Sequence, residues 1–374
     1  MPHIKPDIES FARIKVVGVG GSGTNTVDHM IRSKVRGVEF IAVNTDAQDL
    51  HNALAKRKVF IGKNITKGLG SGMNPELGRE AAEESRAELT ESLKGADMVF
   101  IACGFGGGTG TGAAPIIANI VKETGALAVA VVTKPFSFEG SERARIAEEG
   151  LMQLVGAVDA MIVIPNDRLF EIIEKQTLFL EAFAMCNEVL RQAVEGISDL
   201  ITVPGIINVD FADVRAIMQN AGSALMGIGS ASGERRAVEA AERAIRSPLL
   251  DMSINGAQGV LFSIAGGPDL TMWEINEAAR IITGPVSKDA KVIFGAMRDE
   301  KLRKGEIKVT VIATGFSGVT SESAVAGSSI NLFSGSTLPT PKTYTTKQMN
   351  HEKTDEKREE GEWDAVPAFL RRKK

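Results

Sequence analysis

Six glycines fall within the nine residues Gly104-Phe105-Gly106-Gly107-Gly108-Thr109-Gly110-Thr111-Gly112, directly after the apolar run Met98-Val99-Phe100-Ile101-Ala102. Ordering so flexible a string is entropically expensive, so a chain that folds around it must put it to use. Glycine admits backbone angles closed to other residues, so successive N–H groups can converge on one point, and a helix that follows adds its positive end. Ala113, Ala114, Ile116 and Ile117 continue as such a helix, while Thr109 and Thr111 supply hydroxyls without bulk. The expectation is a strand, a phosphate cradle and a helix, in that order.

The surrounding sequence supplies a matching framework. Ile14 to Val19, Val38 to Val43, Met98 to Ala102, Ala126 to Val132 and Ala160 to Ile164 read as strands separated by longer helical stretches. Their hydrophobicity is continuous rather than alternating, which implies burial on both faces and hence a parallel sheet flanked by helices. Phe179, Phe183, Cys186, Leu190, Val194, Ile197 and Ile201 then recur at spacings of three and four, one stripe of a long central helix over 178–203 that Pro204-Gly205 closes. A second, smaller α/β domain is expected over 204–317. Its strand candidates are Gly259 to Ile264, Val292 to Phe294 and Ile307 to Ala313, with helices around Arg235 to Arg246 and Thr271 to Ile282.

A second glycine loop, Gly18-Val19-Gly20-Gly21-Ser22-Gly23, sits between the first strand and a helix. Alone it fits a dinucleotide-binding Rossmann unit, with Glu39 or Asp46 as the ribose acid. The richer loop after a later strand argues instead for two loops on one polyphosphate. No G-x-x-x-x-G-K-[ST] occurs, so backbone amides rather than a P-loop lysine must carry the phosphate.

Charge and composition narrow the field. The formal net charge of −4 argues against a broad nucleic-acid surface. The two cysteines, Cys103 and Cys186, lie in apolar patterns and suggest neither a disulfide framework nor a metal site. No signal-peptide pattern and no run of roughly 18 apolar residues is present, so the expectation is a cytoplasmic protein with no direct membrane insertion. Residues 1–12 read as a flexible N-terminus. Residues 318–360 turn to Ser, Thr, Gly and Pro and then to charge, too poor in apolar side chains to fold, and read as a disordered linker. The apolar and basic island over 361–374 reads as a docking peptide.

Together these residues resemble the tubulin/FtsZ family, and its FtsZ branch in particular. The loop Gly106 to Gly112 matches the family signature, and Asn44-Thr45-Asp46-Ala47-Gln48, Gly70 to Pro75, Thr133-Lys134-Pro135-Phe136, Phe138-Glu139-Gly140 with Arg143, and Asn208 to Asp213 follow in the family's order. The resemblance implies a tubulin-like α/β GTPase domain over 13–177. It also implies GTP and GDP as ligands, Mg²⁺ as their counter-ion, and a division-ring protein at mid-cell. It places Gly20, Gly21, Ser22, Gly23, Thr24, Asn25, Asp46, Gly72, Gly107, Gly108, Thr109, Gly110, Thr111, Pro135, Glu139, Arg143, Asn166 and Asn187 at the nucleotide. Asn208, Asp210 and Asp213 would reach the nucleotide of the next subunit, so that hydrolysis requires a head-to-tail homopolymer. The tail resembles the FtsZ C-terminal peptide through Asp364, Val366, Pro367, Phe369 and Leu370, which implies membrane-tethering division adaptors as partners. The chain departs from the family at Ser22, where a glycine is more usual. It also has Asn187 followed by Glu188, where many relatives carry Asp at one of the two, leaving either of the pair as the base contact.

Two alternatives remain open on sequence grounds. An NAD-binding oxidoreductase could be built on the first glycine loop, although His3, His29, His51 and His351 offer no evident hydride-transfer site and His29 and His51 read as surface residues. A catalytically inactive FtsZ-like paralogue would keep the fold and lose the acidic loop, yet Asp210 and Asp213 are present. By spacing alone, Asp210 reads as a helix N-cap.

Overall fold

The computed structural model describes residues 12–171, 176–203, 205–247, 253–299 and 302–316. The linker and the docking peptide, with Asp364, Val366, Pro367, Phe369 and Leu370, lie outside the described residues. Six parallel strands form the first part of the sheet: β1 (Ile14–Val19), β2 (Val38–Asn44), β3 (Arg57–Phe60), β4 (Met98–Gly104), β5 (Leu127–Lys134) and β6 (Ala160–Pro165), in the order β3-β2-β1-β4-β5-β6. β1 is buried throughout and β4 and β5 are buried in all but their last residues, which explains their continuous hydrophobicity. One face is covered by α1 (Gly20–Arg32) and α7 (Phe179–Thr202), where Val27, Met30, Leu190, Val194 and Ile197 pack with Val16, Phe100 and Val129. The other face carries α3 (Pro75–Glu84), α4 (Arg86–Leu93), α5 (Thr109–Glu123) and α6 (Ser141–Ala157), where Ala81, Leu89, Ile117 and Leu154 pack with Val17, Ile101 and Val132. Between β2 and β3 lies the short α2 (Ala47–Asn52).

The sheet continues as β7 (Gly222–Ser232), β8 (Gly259–Gly266), β9 (Lys291–Arg298) and β10 (Glu306–Thr314), in the order β7-β10-β8-β9. β10 runs antiparallel to both β7 and β8, and β7 joins β6 in parallel over the three pairs from Ala160–Gly222 to Ile162–Ala224. α9 (Arg236–Ile245) and α10 (Met272–Thr283) contribute Ala237, Ala240, Ala244, Ile275 and Ile282 to a separate core over this part. α8 (Phe211–Met218) lies between α7 and β7 in the chain.

Two strands were not legible in the sequence. β3 has four residues and one fully buried side chain, Val59. β7 reads Gly-Ser-Ala-Leu-Met-Gly-Ile-Gly-Ser-Ala-Ser, short of the β-branched and aromatic residues that mark strands, and is held by its nine-residue register with β10. Gly229 is required there because an ideal Cβ would lie 2.1 Å from the Ala240 carbonyl oxygen of α9. α5 also starts earlier than Ala113: the second half of the glycine string is its first turn.

Candidate active site

β1 and β4 are neighbours whose connections leave in opposite directions, β1 through α1 to β2 and β4 through α5 to β5. Open α/β sheets have a crevice at such a reversal, beyond the carboxyl ends of the strands. Here that crevice is a cavity of about 360 Å³ lined by Gly20, Gly21, Ser22, Gly107, Gly108, Thr109, Gly110, Pro135, Glu139, Arg143 and Asn166, all expected at the nucleotide, together with Ser71, Phe105, Thr133 and Phe183, which the sequence places in motifs or in the helix stripe but not at the nucleotide. Both glycine loops open into it, each at the start of a helix.

The two loops are built alike. Gly20 takes φ +71 as the first residue of α1, and Gly106 takes φ +94 just before α5, positions that other residues adopt only under strain. The first N–H groups of a helix have no acceptor within it; in α5 the bond from Gly112 N to the Gly108 oxygen, 2.9 Å, falls at the end of that turn. Thr111 Oγ1 accepts from Gly106 N at 3.0 Å and so braces the loop from behind. Gly107 has open space where a Cβ would be, whereas Gly23 is pressed against the Ala102 oxygen and serves packing.

Arg143 is the one cation lining the cavity among the described residues, and its Nη1 donates to Glu139 Oε2 at 2.7 Å. Glu139 also accepts from Phe136 N at 3.0 Å, so the carboxylate is fixed at the turn that leads into α6. Phe183, on the first turns of α7, stands edge-on to Phe136 with ring centroids 5.4 Å apart. Asn166, after β6, is buried, and its Oδ1 has no hydrogen-bond partner among the described residues. The aromatic, the buried amide and the ion pair thus mark one end of the cavity, on the β5–β6 side, and the amide-rich loops mark the middle.

Several expected residues stand outside this lining. Asp46 caps α2, accepting from Gln48 N and Asp49 N. Beside it, burial and then the Asp46 charge push the Asp49 carboxyl up from its ordinary value, against the hydrogen bond from Asn44 Nδ2. Gly72 is exposed with φ +55, Asn25 is exposed on α1, and Thr24 points inward with a buried hydroxyl that has no partner among the described residues. Asn187 meets Thr26 of α1 at 3.0 Å. Thr26 Oγ1 has one proton and also lies 2.9 Å from the Ser22 carbonyl oxygen, so an Asn187 amide turned with Nδ2 toward Thr26 satisfies both contacts. His29 is no idle surface residue: it lies 3.0 Å from Glu188 of α7.

The acidic loop is elsewhere. Asp210 caps α8, its Oδ1 accepting from Asp213 N at 2.8 Å, and Asn208 Oδ1 accepts from Gly205 N at 2.6 Å. Asp213 is exposed, and its carboxylate has no hydrogen bond or ion pair among the described residues. Arg215 of α8 donates to the Gly125 oxygen at 2.9 Å, just before β5 begins, and the chain after α8 bonds to Asp159, just before β6 begins. The cavity lies at the other ends of these strands. The eight residues of β5 span about 25 Å, far beyond the reach of a side chain.

The GTPase domain of the Tubulin/FtsZ family matches residues 13–174, and the C-terminal domain of the FtsZ family matches residues 222–317. FtsZ from M. jannaschii, solved as an empty dimer, aligns with a TM-score of 0.78 and 47% identity over 81% of this chain and 88% of that one. A single-residue variant of the same FtsZ aligns with a TM-score of 0.78 and 46% identity over 82% and 92%. CetZ2 from Haloferax volcanii, solved as a GTPγS-bound protofilament, shares the fold at 23% identity, with a TM-score of 0.69 over 80% and 92%. With both domain matches in sequence, and with two phosphate-type loops at the reversal point where a Rossmann oxidoreductase has one, the chain belongs to the FtsZ branch of the tubulin/FtsZ family of GTPases.

Proposed function

We propose that this protein is an FtsZ-type cytoskeletal GTPase that polymerises head to tail, hydrolyses GTP at the subunit interface and builds the mid-cell division ring in the cytoplasm. The observation that carries the reading is the separation of cavity and acidic loop to opposite ends of one sheet. Neither can complete the other within a molecule, whereas stacking the amino end of one subunit on the carboxyl end of the next unites them. A contact of this heterologous kind does not close on itself and so generates an open filament. The M. jannaschii FtsZ structure is itself a dimer.

In this reading the amides of Gly20–Ser22 and Gly107–Gly110 hold the phosphates, and Glu139 and Arg143 hold the ribose. Phe183, Asn166 and Asn187 meet the base, with the outward Oδ1 of Asn187 suited to the N–H donors of guanine. No group of three metal-ligating side chains occurs among the described residues, so Mg²⁺ would draw its oxygens from the triphosphate and water. There it would neutralise charge on the transferring phosphoryl group. Asn208 and Asp210 shape the incoming loop, and Asp213, whose carboxylate is uncommitted, orients the attacking water. The Asp364, Val366, Pro367, Phe369 and Leu370 peptide would dock a membrane-tethering adaptor.

The test is Asp213→Ala. This variant should bind GTP and form filaments while its phosphate release falls by about a hundredfold or more. Turnover at the wild-type rate would remove the loop from the chemistry.

A further inference from the structure

Thr26 of α1 is fully buried, and its Oγ1 has two polar neighbours, the Ser22 carbonyl oxygen at 2.9 Å and the side-chain amide of Asn187 on α7 at 3.0 Å. Ser22 and Phe183 line the cavity, and Thr26 and Asn187 follow them by four residues on their respective helices. Residues four apart share a helix face. The Thr26–Asn187 contact therefore lies one turn, about 6 Å, below the cavity wall, as the floor of the slot where α1 meets α7.

A threonine hydroxyl has one proton. Were Asn187 to turn its oxygen to Thr26, two acceptors would compete for that proton and one contact would have none. With Nδ2 toward Thr26, the hydroxyl accepts from the amide and donates to Ser22, and both contacts are bonds. The amide is thereby held one way round, and Oδ1 is the atom it shows to the cavity. An amide has a donor end and an acceptor end, whereas a carboxylate shows an acceptor whichever way it turns. An asparagine therefore needs a neighbour that sets it, and an aspartate would not.

A purine that enters beside Phe183 turns an edge toward this floor. Guanine carries N–H donors at N1 and N2, which Oδ1 can accept. Adenine carries a lone pair at N1, and Oδ1 against it sets an acceptor facing an acceptor. A site committed to one hydrogen-bonding pattern rejects the base that lacks it, because polar groups are left unpaired. An amide free to turn discriminates less, since Nδ2 can serve adenine N1 as Oδ1 serves guanine.

We infer that Thr26 is a positioning residue that, by holding the Asn187 amide with Oδ1 toward the cavity, makes this site select guanine over adenine. This rests on the nucleotide reading of the cavity. Thr26 makes no contact with the ligand and acts only through Asn187.

The experiment measures GTP and ATP affinity of the full chain by competition with a fluorescent guanine nucleotide, at protein concentrations too low for assembly. It compares wild type, Thr26→Val, Thr26→Ser, Asn187→Asp and the double variant Thr26→Val with Asn187→Asp. Valine keeps the shape of threonine but cannot accept from Nδ2. Thr26→Val should lose about tenfold of the GTP-over-ATP preference, part as weaker GTP binding and part as tighter ATP binding, and Thr26→Ser should keep the wild-type ratio. The double variant should differ in ratio from Asn187→Asp by less than about twofold, because a carboxylate has no donor end to turn toward the base. Equal loss of GTP and ATP affinity, an unchanged ratio, a serine variant that behaves like valine, or the same drop in the Asn187→Asp background would overturn the inference. Should Thr26→Val fail to fold, Thr26→Ala takes its place under the same criteria. A wild type that binds neither nucleotide, or both alike, would overturn the guanine-nucleotide reading itself, whereas a full GTP preference in Thr26→Val overturns only the part given to Thr26.

Discussion

Gly112 cannot carry a Cβ: an ideal one would lie 1.9 Å from the carbonyl oxygen of Pro75. The glycine string therefore does two jobs. Gly106 and Gly107 give the loop its shape and open face toward the cavity, and Gly108 and Gly112 let α3 and the Ser71 loop press against α5. Gly112→Ala should destabilise the fold by about 3 kcal/mol, read as a lowered thermal midpoint, because backbone rather than a yielding side chain is in the way. An unchanged midpoint would show that α3 can retreat. The phosphate-cradle half of this was legible in composition and order alone. The packing half was not, because it depends on α3, a distant segment whose approach no local pattern encodes. The same holds for the contact of Ser71 with Thr109, which joins hydroxyls 38 residues apart in the sequence.

The long helix α7 runs from the cavity end of the sheet to its opposite end. Phe183 near its start lines the cavity, and Thr202 at its end packs on Gly37, before β2 begins. Its 24 residues reach about 36 Å. Two bridges fasten it to α1, whose first turn is the first glycine loop: Thr26 to Asn187 and His29 to Glu188. Glu188 is partly buried, which opposes its charge, but hydrogen bonds from Arg191, His29 and Gln192 prevail and hold its carboxyl down at about 2. A carboxyl depressed in the fold stabilises above its unfolded pKa and loses that contribution as pH falls through the folded value. Wild type should therefore exceed Glu188→Gln in thermal midpoint at pH 6, with the difference shrinking between about pH 4.5 and pH 2. A gap that stays constant over this range would deny the network its ionic character. The helix itself was plain from its three-and-four spacing. Its bridges were not, since Asn187 and Glu188 lie 161 and 159 residues from their partners.

At the scale of the whole molecule, the parallel strand order 3-2-1-4-5-6 is also that of dinucleotide-binding folds, so the fold by itself leaves the oxidoreductase reading standing. The second glycine loop and the two domain matches remove it. The order and type of most elements followed from continuous apolar runs; β7 escaped because small residues held by β10 and α9 carry no strand signal of their own. The polar division of the molecule, cavity at one end and acidic loop at the other, was legible only through family resemblance, because sequence spacing does not tell which end of a sheet a loop adjoins. The proposed docking role of residues 361–374 is separate from that of the active site. Deleting residues 361–374 should leave GTP hydrolysis unchanged and abolish recruitment to a membrane-bound adaptor, measured by co-sedimentation with adaptor-bearing vesicles; undiminished recruitment would refute the docking role. The central claim, that one active site is shared by two molecules, is tested most directly by phosphate release from GTP as a function of protein concentration, with electron microscopy of the same samples. The shared site predicts negligible turnover below a threshold and a steep rise above it, coincident with filaments. Turnover per molecule that is constant from the lowest concentration, with no filaments present, would contradict it.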